Sequence, residues 1–152
     1  FLIESGAETV CFSQSGDFIG GPKGTMAKLG REGKWSRKAM NSFFLSVDRP
    51  FKFMGRINED VSAYTSLGNI GKLFFTIPRL RLKQGTTQAH KGGLTDIYLD
   101  VGTYVKSFYS VMGMPSSVSV NQMGVRHMRL HHNVQWKHTV PQIVSEDVKK
   151  LS

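Results

Sequence analysis

The chain has 152 residues, 39% hydrophobic and 11% aromatic, long enough for one domain with a buried core. Twenty Lys and Arg stand against eleven Asp and Glu, a formal net charge of +9. Its apolar runs are only a few residues long, which rules out a membrane-spanning helix within it, and Glu4 and Glu8 interrupt the apolar opening, which therefore does not read as a signal peptide.

An opening of "FLIESGAETVCFSQ", with Phe rather than Met first, reads as the interior of a longer protein, so an upstream segment is expected. The lone cysteine, Cys11, sits in the apolar run "TVCF". It cannot form a disulfide within the chain, and it reads as a buried strand residue that fits a reducing compartment.

Residues 9 to 20 predict a short strand running into a glycine-rich turn. Residues 20–38, with Gly20, Gly21, Gly24, Gly30 and Gly33 among the charges, predict a mobile basic loop. Between Lys23 and Arg56 the chain carries nine basic residues against Glu32 and Asp48, a net +7 that includes Lys23, Lys28, Arg31, Lys34, Arg37 and Arg56. Charge clustered this way favours a polyanionic partner, nucleic acid first, over a merely solubilising surface.

Met40 to Val47 predicts a strand, and "FKFMGRI" a second one with Phe51, Phe53 and Gly55 on one face. In "NEDVSAYTSLG", Asn58 predicts an N-cap, Glu59 and Asp60 a first turn, and Val61 with Tyr64 an apolar pair, with Gly68 ending the helix. "KLFFTIPRLRL" predicts a strand that shows Arg79, Arg81 and Lys83 on one face and lies at an edge because of Pro78. A polar loop follows, and then a helix whose stripe of Tyr98, Val101, Val105, Phe108 and Met112 is expected to be core. "SSVSVNQM" alternates as a strand, and "VRHMRLHHNVQW" gathers His127, His131 and His132 with Arg126 and Arg129. Short strands interleaved with helices predict an α/β or α+β architecture, read as one domain over residues 1–152.

Two groups could carry chemistry. The macrodipole at a helix start favours ionised carboxylates, so Glu59 and Asp60 could serve only the helix. A carboxylate at a strand-to-helix junction is also well placed as a general base for a hydroxyl nucleophile. The imidazoles suit manganese, iron or zinc, or, with the neighbouring arginines, a phosphate. There is no P-loop, CxxC, GxSxG or HExxH motif, and no Asp-x-Asp clamp for a metal-bound nucleotide.

The blocks "MNSFFLSVDRPFKFMGRINEDVSAYTSLG", "GKLFFTIPRLRLKQGTTQ", "GGLTDIYLDVGTYVKSFYSVM" and "MRLHHNVQWKHTVPQI" resemble, in this order, the TET-associated glycosyltransferase family of bacteriophages. The resemblance runs from about Ser13 to Val144 and implies a GT-A-like fold. It implies transfer of a sugar from a nucleotide-sugar (UDP-sugar) donor to 5-hydroxymethylcytosine in phage DNA. A TET/JBP-like dioxygenase would supply that base in the cytoplasm of the infected bacterial host. Asp60 is then similar to the catalytic base and Glu59 to an acceptor-positioning partner, though the two roles could be exchanged. Arg56, Asn58 and the basic loop would face the DNA, and Asp17, Gly92 and Gly93 would lie in loops near the substrates. His131 or His132 would be the ligand of a divalent cation, Mn2+ or Mg2+. The nucleotide-binding half of a GT-A fold has no counterpart here, so the resemblance implies the C-terminal, acceptor-side part. A non-catalytic DNA-binding module and a metal-dependent nuclease are the alternative readings.

Overall fold

The computed structural model describes residues 1–14, 39–40, 42–83, 92–102, 104–124 and 128–139. The basic loop 20–38, Asp17, His127 and the C-terminal tail lie outside the described residues. The described part is a mixed α/β structure of short helices and two two-stranded sheets. In chain order its elements are α1 (Leu2–Ser5), β1 (Thr9–Gln14), α2 (Glu59–Asn69), β2 (Phe74–Leu82), α3 (Leu94–Val101), α4 (Val105–Gly113), β3 (Val118–Met123) and β4 (Arg129–Val134). A single 3-10 turn, Trp136–His138, follows β4.

β1 and β2 pair in parallel, and the chain between them contains α2, as parallel pairing requires a crossover. Thr9, Cys11 and Ser13 alternate along β1 and are fully buried. The register slips after Phe12, which pairs with Ile77, because Ser13 pairs with Arg81. Pro78 lies in the skipped residues, where its missing N–H costs no ladder bond. The Ser13 hydroxyl donates to the Leu80 carbonyl at 2.6 Å and pins this irregularity. β2 ends at Leu82, so Lys83 lies outside the strand, and the slip interrupts the regular alternation expected from Arg79 onward.

The other edge of β1 meets the segment expected to be a strand from Met40 to Val47. Among the described residues one bridge forms, Val10 with Phe44 in both directions at 3.0 and 2.9 Å. The next N–H that could extend that ladder, from Phe12, is taken by the Ser42 hydroxyl at 2.9 Å. A side-chain acceptor therefore replaces a backbone one, and the strand is not continued.

The expected strand over "FKFMGRI" is likewise irregular. Its alternation reflects an aromatic cluster, in which Phe43–Phe53, Phe51–Phe53 and Phe51–Phe74 have ring centroids 5.0, 5.1 and 5.6 Å apart. Gly55 closes the segment at φ +82, where an added Cβ would run into the Tyr109 ring.

α2 carries the core. Val61 and Tyr64 are buried with Cys11, Ala39 and Phe74, and Tyr64 stacks on Trp136 with ring centroids 5.5 Å apart. Gly68 does not end this helix; it is buried inside the last turn, and the helix continues to Asn69. Thr65 and Ser66 satisfy their hydroxyls on the helix backbone, at Val61 and Ser62 carbonyls 2.6 and 2.5 Å away.

The long helix expected after Asp96 is two helices. Gly102 separates them at φ 84, ψ 155, a conformation closed to side-chain-bearing residues. The break changes the phase of the apolar stripe, and Val101, Phe108 and Met112 are exposed by 40%, 44% and 82%. Ser107 and Ser110 are the buried residues of α4. β3 and β4 then pair antiparallel, with Val120 opposite His132 and Asn121 opposite His131. No described helix is long and apolar enough to cross a membrane.

Burial pushes the Cys11 thiol up from 9.0 to about 12, against the lowering pull of hydrogen bonds with Thr9 and the Met40 backbone. The folded thiol holds its proton more tightly than the unfolded one. Its contribution to stability is therefore full below pH 9 and is lost as pH rises through 9 towards 12. Iodoacetamide at pH 8 is expected to spare Cys11 in the folded chain and to label it in urea. Rapid labelling without urea would contradict its place in the core.

Candidate functional site

Asn58 opens α2 with a left-handed backbone, φ 57 and ψ 34, and is the one non-glycine residue with positive φ among the described residues. Asparagine tolerates this region better than most, but it still costs about 1 kcal/mol. The Asn58 carbonyl accepts the first helical bond, from the Ser62 N–H at 3.1 Å. Its side chain does not cap the helix. The Nδ2 group instead donates to Ser110 Oγ on α4 at 2.6 Å and faces His132 Nδ1 on β4 at 3.2 Å. Ser110 Oγ in turn reaches the Lys106 carbonyl at 3.3 Å. The capping expected of Asn58 is performed by Asp60, whose Oδ1 accepts the Val61 N–H at 2.8 Å.

This tie sets the floor of a cleft of about 450 Å3, lined by Asn58, Glu59, Asp60, Phe43, Phe53, Leu94, Tyr98 and Lys106. That volume falls in the range of small-molecule sites, about 300 to 1,000 Å3. The α2 N-terminus supplies the carboxylates, the aromatic cluster Phe43 and Phe53, α3 Leu94 and Tyr98, and α4 Lys106. Burial, then the charges of Glu59 and Asp60, push the Tyr98 phenol above its ordinary 10.0. Burial pushes Tyr64 up further, with a smaller contribution from Asp60. The charges of both carboxylates thus act on Tyr98, and that of Asp60 alone on Tyr64, in each case behind burial. Lys106 Nζ lies 5.9 Å from the centre of the Tyr98 ring.

The imidazoles of β4 are adjacent, with ring centres 4.3 Å apart. His131 Nδ1 lies 2.8 Å from the His132 carbonyl, which can only accept, so Nδ1 carries the hydrogen and the neutral ring has its lone pair at Nε2. His132 Nδ1 faces the Asn58 amide donor and is the accepting nitrogen of its ring. Between the two, His131 has the tautomer a cation would need. Among the described residues, however, no three imidazole, thiolate or carboxylate groups converge as a cation cage requires.

Of the residues singled out in the sequence, Asn58, Glu59, Asp60 and His132 come together here. Gly92 and Gly93 directly precede Leu94, which lines the cleft. Arg56 is exposed, two residues before Asn58, and does not line it. Lys23, Lys28, Arg31, Lys34, Arg37 and Asp17 lie outside the described residues. Sequence reasoning missed Phe43, Phe53, Tyr98, Lys106 and Ser110 as site residues. Lys106 and Ser110 lie off the expected apolar stripe, and nothing in its spacing marks them as site residues.

Comparison with models of protein families, with curated proteins and with solved structures yields no match.

Replacing Asn58 with Ala keeps the strained backbone while removing the amide. The expected loss is about 2 kcal/mol of stability in urea denaturation, from one broken hydrogen bond network and its unsatisfied partners. Asn58→Gly relaxes the backbone and should cost less than Asn58→Ala. Equal stability of Asn58→Ala and the parent would contradict the tie.

Proposed function

We propose that this chain is the acceptor-side, C-terminal part of a GT-A-type glycosyltransferase acting on phage DNA. It would move a sugar from a UDP-sugar to the hydroxyl of 5-hydroxymethylcytosine. The observation that supports this reading best is the cleft itself, in which two adjacent carboxylates at a helix N-terminus face aromatic walls. Carboxylates only accept hydrogen bonds when ionised, so such a cleft suits a substrate that presents donors.

In the proposed reaction Asp60 takes the proton of the hydroxymethyl group as its oxygen forms a bond to the anomeric carbon. The bond from that carbon to the diphosphate breaks, and the nucleoside diphosphate leaves with the electron pair. Glu59 positions the acceptor. Arg56 and the basic residues from Lys23 to Arg37 would contact the DNA backbone, where charge contributes affinity without reading sequence. A divalent cation, Mn2+ or Mg2+, would neutralise the leaving diphosphate when bound. His131 or His132 would be its imidazole ligand. The base would be supplied by a TET/JBP-like dioxygenase in the cytoplasm of the infected host.

A second reading is favoured by one observation. Asp60 Oδ1 already serves the helix by accepting the Val61 N–H. With both carboxylates purely structural, the chain would be a DNA-binding module without catalysis.

Asp60→Asn separates the two readings, because the amide oxygen can still accept the Val61 N–H while the base is lost. In the full-length protein this variant is expected to keep DNA binding and lose transfer by about 10²- to 10⁴-fold. Unchanged transfer would remove Asp60 from the mechanism.

A further inference from the structure

The arrangement of the cleft carries its substrate reading one step further, to the identity of the base. The acceptor proposed above presents two hydrogen-bond donors on neighbouring ring positions, the exocyclic N4 amine and the hydroxymethyl group. The cleft presents two acceptors on neighbouring residues, Glu59 and Asp60, at the first turn of α2. Phe53, 42% exposed, and Tyr98 both line the cleft and offer it aromatic surface, on which a planar ring taken out of a base stack can lie. A phosphate or a sugar acid would meet the charge of both carboxylates, which already acts on Tyr98.

We propose that Glu59 is the residue that selects cytosine, by accepting a hydrogen bond from the N4 amine while Asp60 faces the hydroxymethyl oxygen. This inference rests on the transferase reading. Its chemistry is that of acidic side chains that accept from cytosine N4. 5-Hydroxymethyluracil has the same hydroxymethyl group but a carbonyl oxygen at position 4, which would face the Glu59 carboxylate with no proton between them. The cleft therefore discriminates by repulsion as well as attraction. Glu59→Gln reverses this logic, since the amide NH2 can donate to the uracil oxygen.

The test uses single-stranded oligonucleotides carrying one 5-hydroxymethylcytosine or one 5-hydroxymethyluracil, a UDP-sugar donor, and full-length parent and Glu59→Gln proteins. Nucleoside mass reports transfer. The parent is expected to favour the cytosine acceptor by roughly ten- to a hundredfold, and Glu59→Gln to lose or invert that preference. Glu59→Ala, which can neither attract nor repel, is a second variant expected to bring the ratio towards one. Equal use of both acceptors by the parent overturns the assignment and leaves the transferase reading intact, as does a parent-like preference in the active Glu59 variants. Transfer to neither acceptor by any protein overturns the transferase reading, and this inference with it.

Discussion

The side-chain amide of Asn58 holds together three parts of the chain that are far apart in sequence. It joins the start of α2 to Ser110 on α4 and His132 on β4, at 2.6 and 3.2 Å. For that, the residue adopts a left-handed backbone and leaves the helix uncapped by its own side chain. The strain of about 1 kcal/mol is offset by hydrogen bonds worth about the same each. A strained asparagine that ties instead of capping fixes where the next two residues point. Glu59 and Asp60 are delivered to the cleft because the backbone turns there.

The electrostatics of the cleft follow from this placement. Two carboxylates at a helix N-terminus are stabilised by the helix dipole and by the Val61 N–H. Burial first, and then the charges of Glu59 and Asp60, raise the Tyr98 phenol above its ordinary 10.0. Phe43 and Phe53 line the same cleft, and they belong to the cluster that packs through Phe51 onto Phe74 in the core. The aromatic side of the site is thus continuous with the hydrophobic core. Lys106 brings the cation of the rim and, through its carbonyl, the end of the Asn58 network.

Local chemistry made much of this legible in the sequence. β1 follows from a short apolar run before a glycine-rich turn, β3 from alternation, α2 from its acidic first turn and apolar pair, and β2 from the run "KLFFTIPRLRL". The failures have physical causes. "FKFMGRI" alternates like a strand, yet its phenylalanines pack on one another and on Phe74, and among the described residues no backbone ladder forms with them. Met40 to Val47 lost its ladder to the Ser42 hydroxyl. The stripe from Tyr98 to Met112 assumed one continuous helix, and Gly102 broke its phase, which left serines inside and Met112 outside. Asn58, Glu59 and Asp60 were visible as a unit, but their partners were not. No periodicity connects Asn58 with Ser110 and His132, because contacts between distant segments are set by packing.

The central claim is that this cleft presents a base to an activated sugar. The most direct measurement is the mass of nucleosides from DNA containing 5-hydroxymethylcytosine, after incubation of the full-length protein with Mn2+ and a panel of UDP-sugars. A hexose or N-acetylhexosamine increment on that nucleoside alone is the predicted result. Tight DNA binding with no increment from any donor would contradict it, and Glu59 and Asp60 would then be the first turn of a helix and nothing more.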